Sequence, residues 1–297
     1  MIPSIEGYYG TWDQTGMPPV NPNDPNYKTE LANWEAQVEA MLADLQSKGL
    51  QTVDLSFVAF SADLQSVGGI QFNNDPATNQ VMMAYFIEAA HAKGMEVKVS
   101  VGGASGQPFP SQSDPNYQQK ISAMIQSMAQ FLKDNHIDGL DVDNEDLDPN
   151  TAQGQIDFIK GIRSDMGADF KMSYTVEGCF AASESYYKQI LQAVLPDLDG
   201  VNLMAYDVFW SGYKFQDDIA MLESFGIPAS KIMLGVFPVG TSAGQTPAQI
   251  QAMAEYAKEN GLQGMFYWDI NQDYENENGQ GKDAGIDAID AGYGIHV

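Results

Sequence analysis

Apolar residues recur along the chain in eight short runs, near 4–9, 52–60, 96–101, 137–144, 170–177, 199–206, 231–237 and 263–269. Each is bounded by turn-forming residues, which predicts eight strands. Between the runs the apolar spacing becomes helical, near 29–48, 78–93, 115–134, 151–166, 184–195, 215–225, 246–260 and 282–290. Several of these segments open at Asn, Asp, Ser or Thr, and Gly49, Gly94 and Gly226 stand where helices should end. A strand-then-helix unit repeated eight times predicts an α/β fold of the closed (β/α)8 TIM-barrel type. A doubly wound sheet would have fewer strands and a glycine-rich phosphate loop after the first, and no such loop follows residue 9. The stretch 238–262, between the seventh and eighth strands, has room for a single helix. No α+β insertion is expected there, and residues 1–297 read as a single barrel domain.

Strands of such a barrel converge at their carboxyl ends, so functional groups are expected in the connections that follow them. Three of these, 10–28, 61–77 and 102–114, are long and polar. Charge narrows the class of partner: 40 acidic against 14 basic residues give a net charge of -26, which repels nucleic acid and anionic membrane surfaces. A neutral polymer, or a cationic one such as a partly deacetylated amino-sugar chain, meets no such repulsion. Cys179 is the only cysteine, so neither an internal disulfide nor a cysteine-built zinc site is available. His91 and His136 fall at helix ends without metal-ligand spacing, and neither a metal nor another cofactor is expected. No run of about 20 apolar residues occurs that could span a membrane.

The chemistry is concentrated in Ile137-Asp138-Gly139-Leu140-Asp141-Val142-Asp143-Asn144-Glu145-Asp146. Side chains alternate along a strand, so Asp141, Asp143 and Glu145 share the inner face while Leu140 and Val142 face the helix layer. Successive acids on that face are roughly 6.5 Å apart along the backbone. In a shielded cavity all three cannot stay ionised, which raises the proton affinity of the residue nearest the mouth and suits it to general acid work. A solvated acidic loop or a calcium loop is the competing reading. The glycine needed for a calcium loop's sharp turn is missing, and the alternating Leu140 and Val142 favour a strand.

Asp138-Gly139-Leu140-Asp141-Val142-Asp143-Asn144-Glu145 matches the DGxDxDxE signature at every fixed position, and on it the chain resembles glycoside hydrolase family 18, the chitinases and related endo-N-acetylglucosaminidases. Ser100-Val101-Gly102-Gly103 is similar to the family's SxGG motif after strand three, and Met204-Ala205-Tyr206-Asp207 to its MxYD motif at strand six. Trp268 matches the strand-eight tryptophan and Tyr8 the first-strand aromatic. The resemblance implies cleavage of β-1,4-linked N-acetylglucosamine polymers with retention, through substrate assistance rather than an enzyme nucleophile. Glu145 would protonate the glycosidic oxygen while the substrate's 2-acetamido oxygen attacks the anomeric carbon. Asp143 would bind the acetamido N–H and stabilise the oxazolinium charge, and Asp141 would share a proton with Asp143. Tyr206 would hold the acetamido oxygen in its attack position.

The same resemblance assigns substrate contacts to Asp207 and Trp268, the latter as an apolar floor for a sugar ring. Met204 shares the parity of Tyr206 and should face the cavity with it. Trp210 is the preferred further sugar subsite, and Glu177, closing strand five, is placed to hydrogen-bond sugar or to form an ion pair. Asp138 and Gly139 are read as structural, and Gly102 and Gly103 as points of close backbone approach. The undisturbed Tyr206-Asp207 pair favours chitin over N-glycans, and the short connection between strands seven and eight suggests an open groove suited to internal cutting. An endo-β-N-acetylglucosaminidase acting on N-glycans is the alternative enzyme, and a non-catalytic chitin-binding lectin the alternative without catalysis. A secreted monomer is expected, although no signal-peptide pattern begins this sequence.

Overall fold

The computed structural model of the protein describes residues 3–13, 16–104, 109–143, 145, 147–179, 183–208, 212–239, 243–276 and 279–295. Its strands are β1 (Ser4–Gly10), β2 (Thr52–Phe60), β3 (Val67–Gly69), β4 (Glu96–Gly102), β5 (Gly139–Asp143), β6 (Lys171–Glu177), β7 (Gly200–Met204), β8 (Ile232–Val236) and β9 (Gly264–Tyr267). The helices are α1 (Tyr27–Ser47), α2 (Pro76–Ala92), α3 (Tyr117–Asp134), α4 (Ala152–Met166), α5 (Glu184–Val194), α6 (Phe215–Ser224), α7 (Pro247–Glu259), α8 (Ile270–Tyr274) and α9 (Ala284–Tyr293). All strands but β3 pair in parallel, and β1 pairs with both β2 and β9, so the sheet closes on itself as a (β/α)8 barrel. Between β8 and β9 the described residues hold α7 and no strand, as the length of that connection predicts.

Outward-facing Val53, Leu55, Val97, Val99, Leu140 and Val142 bury themselves under the helices and build the continuous core. Trp34 of α1 is fully buried in the same layer. Helix starts are fixed by local chemistry: Asp75 caps α2 by accepting the Thr78 N–H, and Thr246 with Gln249 forms a capping box at α7. The inner face is unusual. Barrel interiors are ordinarily filled by branched apolar side chains, yet here the amino-terminal and middle levels hold Glu6, Asp54, Lys98, Ser100, Asp141, Ser173, Thr175 and Asn202, all buried.

Two elements escape the hydrophobic pattern. β3 is a three-residue antiparallel addition to β2, and α8 has five residues, both too short for a period to register. β7 also stops at Met204, two residues before its predicted end, because the chain turns at Asp207, whose φ is +56°.

Candidate active site

The acid strand β5 sits between β4 and β6, pairing Ser100 with Asp141, Gly102 with Asp143, Asp141 with Ser173 and Asp143 with Thr175. Its approach to β4 depends on glycine: a Cβ on Gly102 would fall 1.8 Å from the Asp143 carbonyl oxygen, and one on Gly103 would fall 2.6 Å from the Phe57 ring. Both glycines also have positive φ. Gly139 makes room in the same way, since a Cβ there would stand 2.7 Å from the Lys98 side chain.

The three acids occupy successive depths. Asp141 is fully buried, and its carboxylate accepts hydrogen bonds from Ser173 (2.6 Å) and Thr175 (3.0 Å) on Oδ1. On Oδ2 it accepts from Ser100 (2.9 Å), Thr175 (3.0 Å) and Tyr8 (3.1 Å). Asp143, one level up, is 3 % exposed and its Oδ1 has no hydrogen-bond partner. Burial first, then the charges of Asp141 and Glu145, push its proton affinity well above the ordinary carboxylate range. Glu145 lies two residues past the end of β5, half-buried at the mouth. Its proton affinity is also raised, by burial and then by Glu177 and Asp207. Glu177, closing β6, and Asp207, beyond the end of β7, thus add to the mutual repulsion between Glu145 and Asp143 of its own strand, two neighbours that the alternation of β5 alone does not supply.

Asp143, Glu145, Met204, Tyr206, Asp207 and Trp268 line one cavity of about 570 Å³, with Gly102 in its wall. Tyr206 is held as a neutral phenol by burial and by the neighbouring Asp143 and Glu145, both of which oppose ionisation. Asp207 is on the rim, its own proton affinity raised by partial burial. Trp268 stacks on Phe57 (5.7 Å between ring centroids, 22° between planes), and Phe57 stacks on Trp12 (5.7 Å, 12°).

Tyr8 lies beneath this cavity rather than on its surface. It is 2 % exposed, its hydroxyl is committed to Asp141, and its ring packs on Phe266 and Trp268. Glu177 is half-buried, and its backbone N–H donates to the Tyr187 hydroxyl at 3.3 Å. Burial raises its own proton affinity while Tyr187 opposes the rise. Asp138 is at the opposite end of β5, accepting the Val97 N–H at 2.8 Å and meeting His91 at 2.7 Å, which gives that histidine a structural partner. Trp210 lies outside the described residues. Among the described residues no group of three His, Cys, Asp or Glu side chains could hold a metal ion.

Phe57 was not foreseen. Alternation along β2 points it outward, but a register shift between Ser56 and Val58 inserts it as an extra residue and turns it into the cavity. The nine-residue length of that strand was the available signal. Equally unforeseen are Glu6, Asp54 and Lys98, charged residues inside strands that otherwise read as apolar.

A parallel eight-stranded barrel with carboxyls, a tyrosine and a tryptophan gathered at the carboxyl ends of its strands is the architecture of a (β/α)8 glycosidase. The sequence profile described as Glycosyl hydrolases family 18 matches residues 5–246, and the chain belongs to that family. It is 25% identical over 287 residues to a chitinase-like effector of Moniliophthora perniciosa, covering 85% of this chain and 59% of that protein. It is 28% identical over 208 residues to Chitinase 1 of Aphanocladium album, covering 58% of this chain and 48% of that protein. The chain therefore spans about half the length of these curated relatives. Among solved structures it is similar in fold to a chitinase from Rhizomucor miehei, with a TM-score of 0.70, 16% identity and coverage of 97% of this chain and 99% of that one. A chitinase-like agglutinin from Robinia pseudoacacia gives a TM-score of 0.69 at 17% identity, covering 96% and 99%.

Proposed function

We propose that the protein hydrolyses β-1,4-linked N-acetylglucosamine polymers, cutting internally and with retention of anomeric configuration. The observation that carries this reading is the shared cavity: a carboxyl with raised proton affinity (Glu145), a buried carboxyl with an unpartnered oxygen (Asp143) and a neutral phenol (Tyr206) stand over an aromatic floor. Glu145 donates its proton to the glycosidic oxygen as the acetamido oxygen closes on the anomeric carbon. Asp143 receives the acetamido N–H on its free oxygen, and its charge is felt most when the oxazolinium forms, which lowers the barrier selectively. Tyr206 donates to the acetamido oxygen and fixes the attack geometry, Asp207 and Met204 border the same sugar, and Trp268 carries its apolar face. The absence of any strand inserted between β8 and β9 in the described residues supports an open groove and internal cutting.

A parallel assay of the protein on N-acetylglucosamine oligomers and on a high-mannose glycopeptide tests the reading. Cleavage of the oligomers into products of mixed length is expected. Cleavage of the glycopeptide alone would make the protein an N-glycan endoglycosidase, and tight binding of oligomers without turnover would make it a lectin.

A further inference from the structure

Pairing between β7 and β8 reaches Met204 and Gly235 and stops two residues before Tyr206. Past that point Ala205, Tyr206 and Asp207 leave β7 and Phe237 leaves β8, so their backbone groups need partners from elsewhere. Gln245, in the connection ahead of α7, supplies them. Its Nε2 donates to the Ala205 carbonyl at 2.8 Å, and its Oε1 accepts the Phe237 N–H at 2.9 Å. The carboxamide occupies the seam as a peptide group would, extending the sheet where the two strands part. The Gln245 N–H also donates to the Phe237 carbonyl at 2.8 Å, which ties the residue to the end of β8 through its main chain.

The same segment holds the other side of Tyr206. The Ala243 carbonyl accepts the Asp207 N–H at 2.6 Å, and Asp207 has φ +56°, a left-handed conformation that a residue other than glycine keeps where its surroundings enforce it. Main chain on both sides of Tyr206 is therefore bound to residues 243–245. Gly244 permits the close approach: a Cβ there would fall 2.1 Å from the Phe237 carbonyl oxygen and 2.6 Å from the Val239 side chain. The Phe237 ring packs on Tyr206, with 6.0 Å between centroids and 59° between planes. Ala205 is 2 % exposed, so its carbonyl has little access to water once the carboxamide is taken away.

We propose that Gln245 is a positioning residue, whose carboxamide bridges the ends of β7 and β8 and thereby holds Tyr206 toward the acetamido oxygen and Asp207 beside Glu145. The inference rests on the chitin-hydrolysing reading of the cavity. Gln245 stands behind the cavity wall rather than in it, and its two effects are separable because it acts through two residues. Displacing Tyr206 loosens the attacking oxygen and lowers kcat, while Trp268 continues to carry the sugar and KM changes little. Displacing Asp207 takes an anion away from Glu145. The groups that face Glu145 are Asp143 from β5, Glu177 from the end of β6, and Tyr206 and Asp207 from beyond β7. Burial and the charges of Glu177 and Asp207 favour its protonated form. With Asp207 displaced the acid ionises at lower pH, and the alkaline limb of kcat/KM, which reports the free protein, moves down.

The test compares pH profiles on a soluble N-acetylglucosamine oligomer for the wild type, Gln245→Met, Asp207→Asn, the double variant of these two, and Thr246→Ala. Gln245→Met keeps the length of the side chain and loses both of its hydrogen bonds. It should lower kcat about tenfold with KM little changed, and move the alkaline limb down by about half a pH unit. In the Asp207→Asn background the anion is already gone, so adding Gln245→Met should lower kcat further and leave the limb where Asp207→Asn put it. Thr246→Ala removes the cap of α7 next door and should reduce stability with the profile unchanged. If Gln245→Met does not fold, Gln245→Asn, too short to span both strand ends, provides the same comparison. An unmoved limb in the Gln245 variant, an equal shift in Thr246→Ala, or a further shift in the double variant would overturn the proposal. Carbon-13 NMR titration of the Glu145 carboxyl in the free protein, its signal assigned by loss in Glu145→Gln, supplies a second arm, and its midpoint should fall in the Gln245 variant. If the wild type cleaves no amino-sugar glycoside, the reading of the reaction fails, while the titration still decides whether Gln245 holds Asp207 beside Glu145.

Discussion

Glu145 and Glu177 show how neighbours set a single residue's chemistry. Glu145 works as an acid only while protonated, and its proton is retained above the ordinary carboxylate range by burial and by the charges of Glu177 and Asp207. Replacing it with Gln preserves shape and removes the proton, so Glu145→Gln should lower kcat by about 10²- to 10⁴-fold. Oligomer binding, followed by calorimetry, should stay close to wild type. Glu177→Gln acts by a different route. It removes an anion that favours the protonated form of Glu145, so the acid ionises earlier and the alkaline limb of kcat/KM should move to lower pH. An unmoved limb, measured over a range in which the variant stays folded, would remove Glu177 from the control of the general acid.

At the scale of elements, β4 and β5 form the unit on which the site depends, and glycines determine their spacing. Gly102 has φ +122° and no room for a Cβ beside the Asp143 carbonyl, whereas Gly167, closing α4 with φ +86°, faces open space. Gly102→Ala should therefore cost about 4 kcal/mol or more through combined backbone strain and overlap, and Gly167→Ala about 2 kcal/mol, from backbone strain alone. Chemical denaturation of the two variants checks the difference. All eight barrel strands were legible because each is an apolar run closed by turn residues, and the acids of β5 were legible because alternation puts Asp141, Asp143 and Glu145 on one face. The bulge that swings Phe57 into the cavity was not, since a register shift is a relation between two strands and leaves no period in either. Lys98 was hidden for a related reason: its partners Glu6, Asp54 and Ser173 are far apart in sequence and meet only when the barrel closes.

The whole molecule carries a net charge of -26 together with several buried carboxyls whose proton affinities are raised in the folded state. Asp273 is the clearest case. Burial pushes its pKa up to about 7, against the pull of the Gly285 and Ile286 N–H groups that it accepts at 2.8 and 3.1 Å. The folded state binds this proton more tightly than the unfolded chain, where the pKa is about 3.9. Its contribution is fully present below about pH 4 and is lost as pH rises towards 7. Self-repulsion of the excess acids grows over the same interval. The thermal midpoint should therefore be higher near pH 5 than near pH 8, and Asp273→Asn should flatten that slope; a midpoint that rises with pH would contradict the assignment.

The reaction itself is tested most directly by the configuration of the first product. Proton NMR of a chitin oligomer during the opening minutes of hydrolysis, before mutarotation, should show the newly formed reducing end as the β-anomer, as attack by the substrate's own acetamido oxygen requires. Initial appearance of the α-anomer would mean direct displacement by water and would contradict the roles given to Asp143, Glu145 and Tyr206.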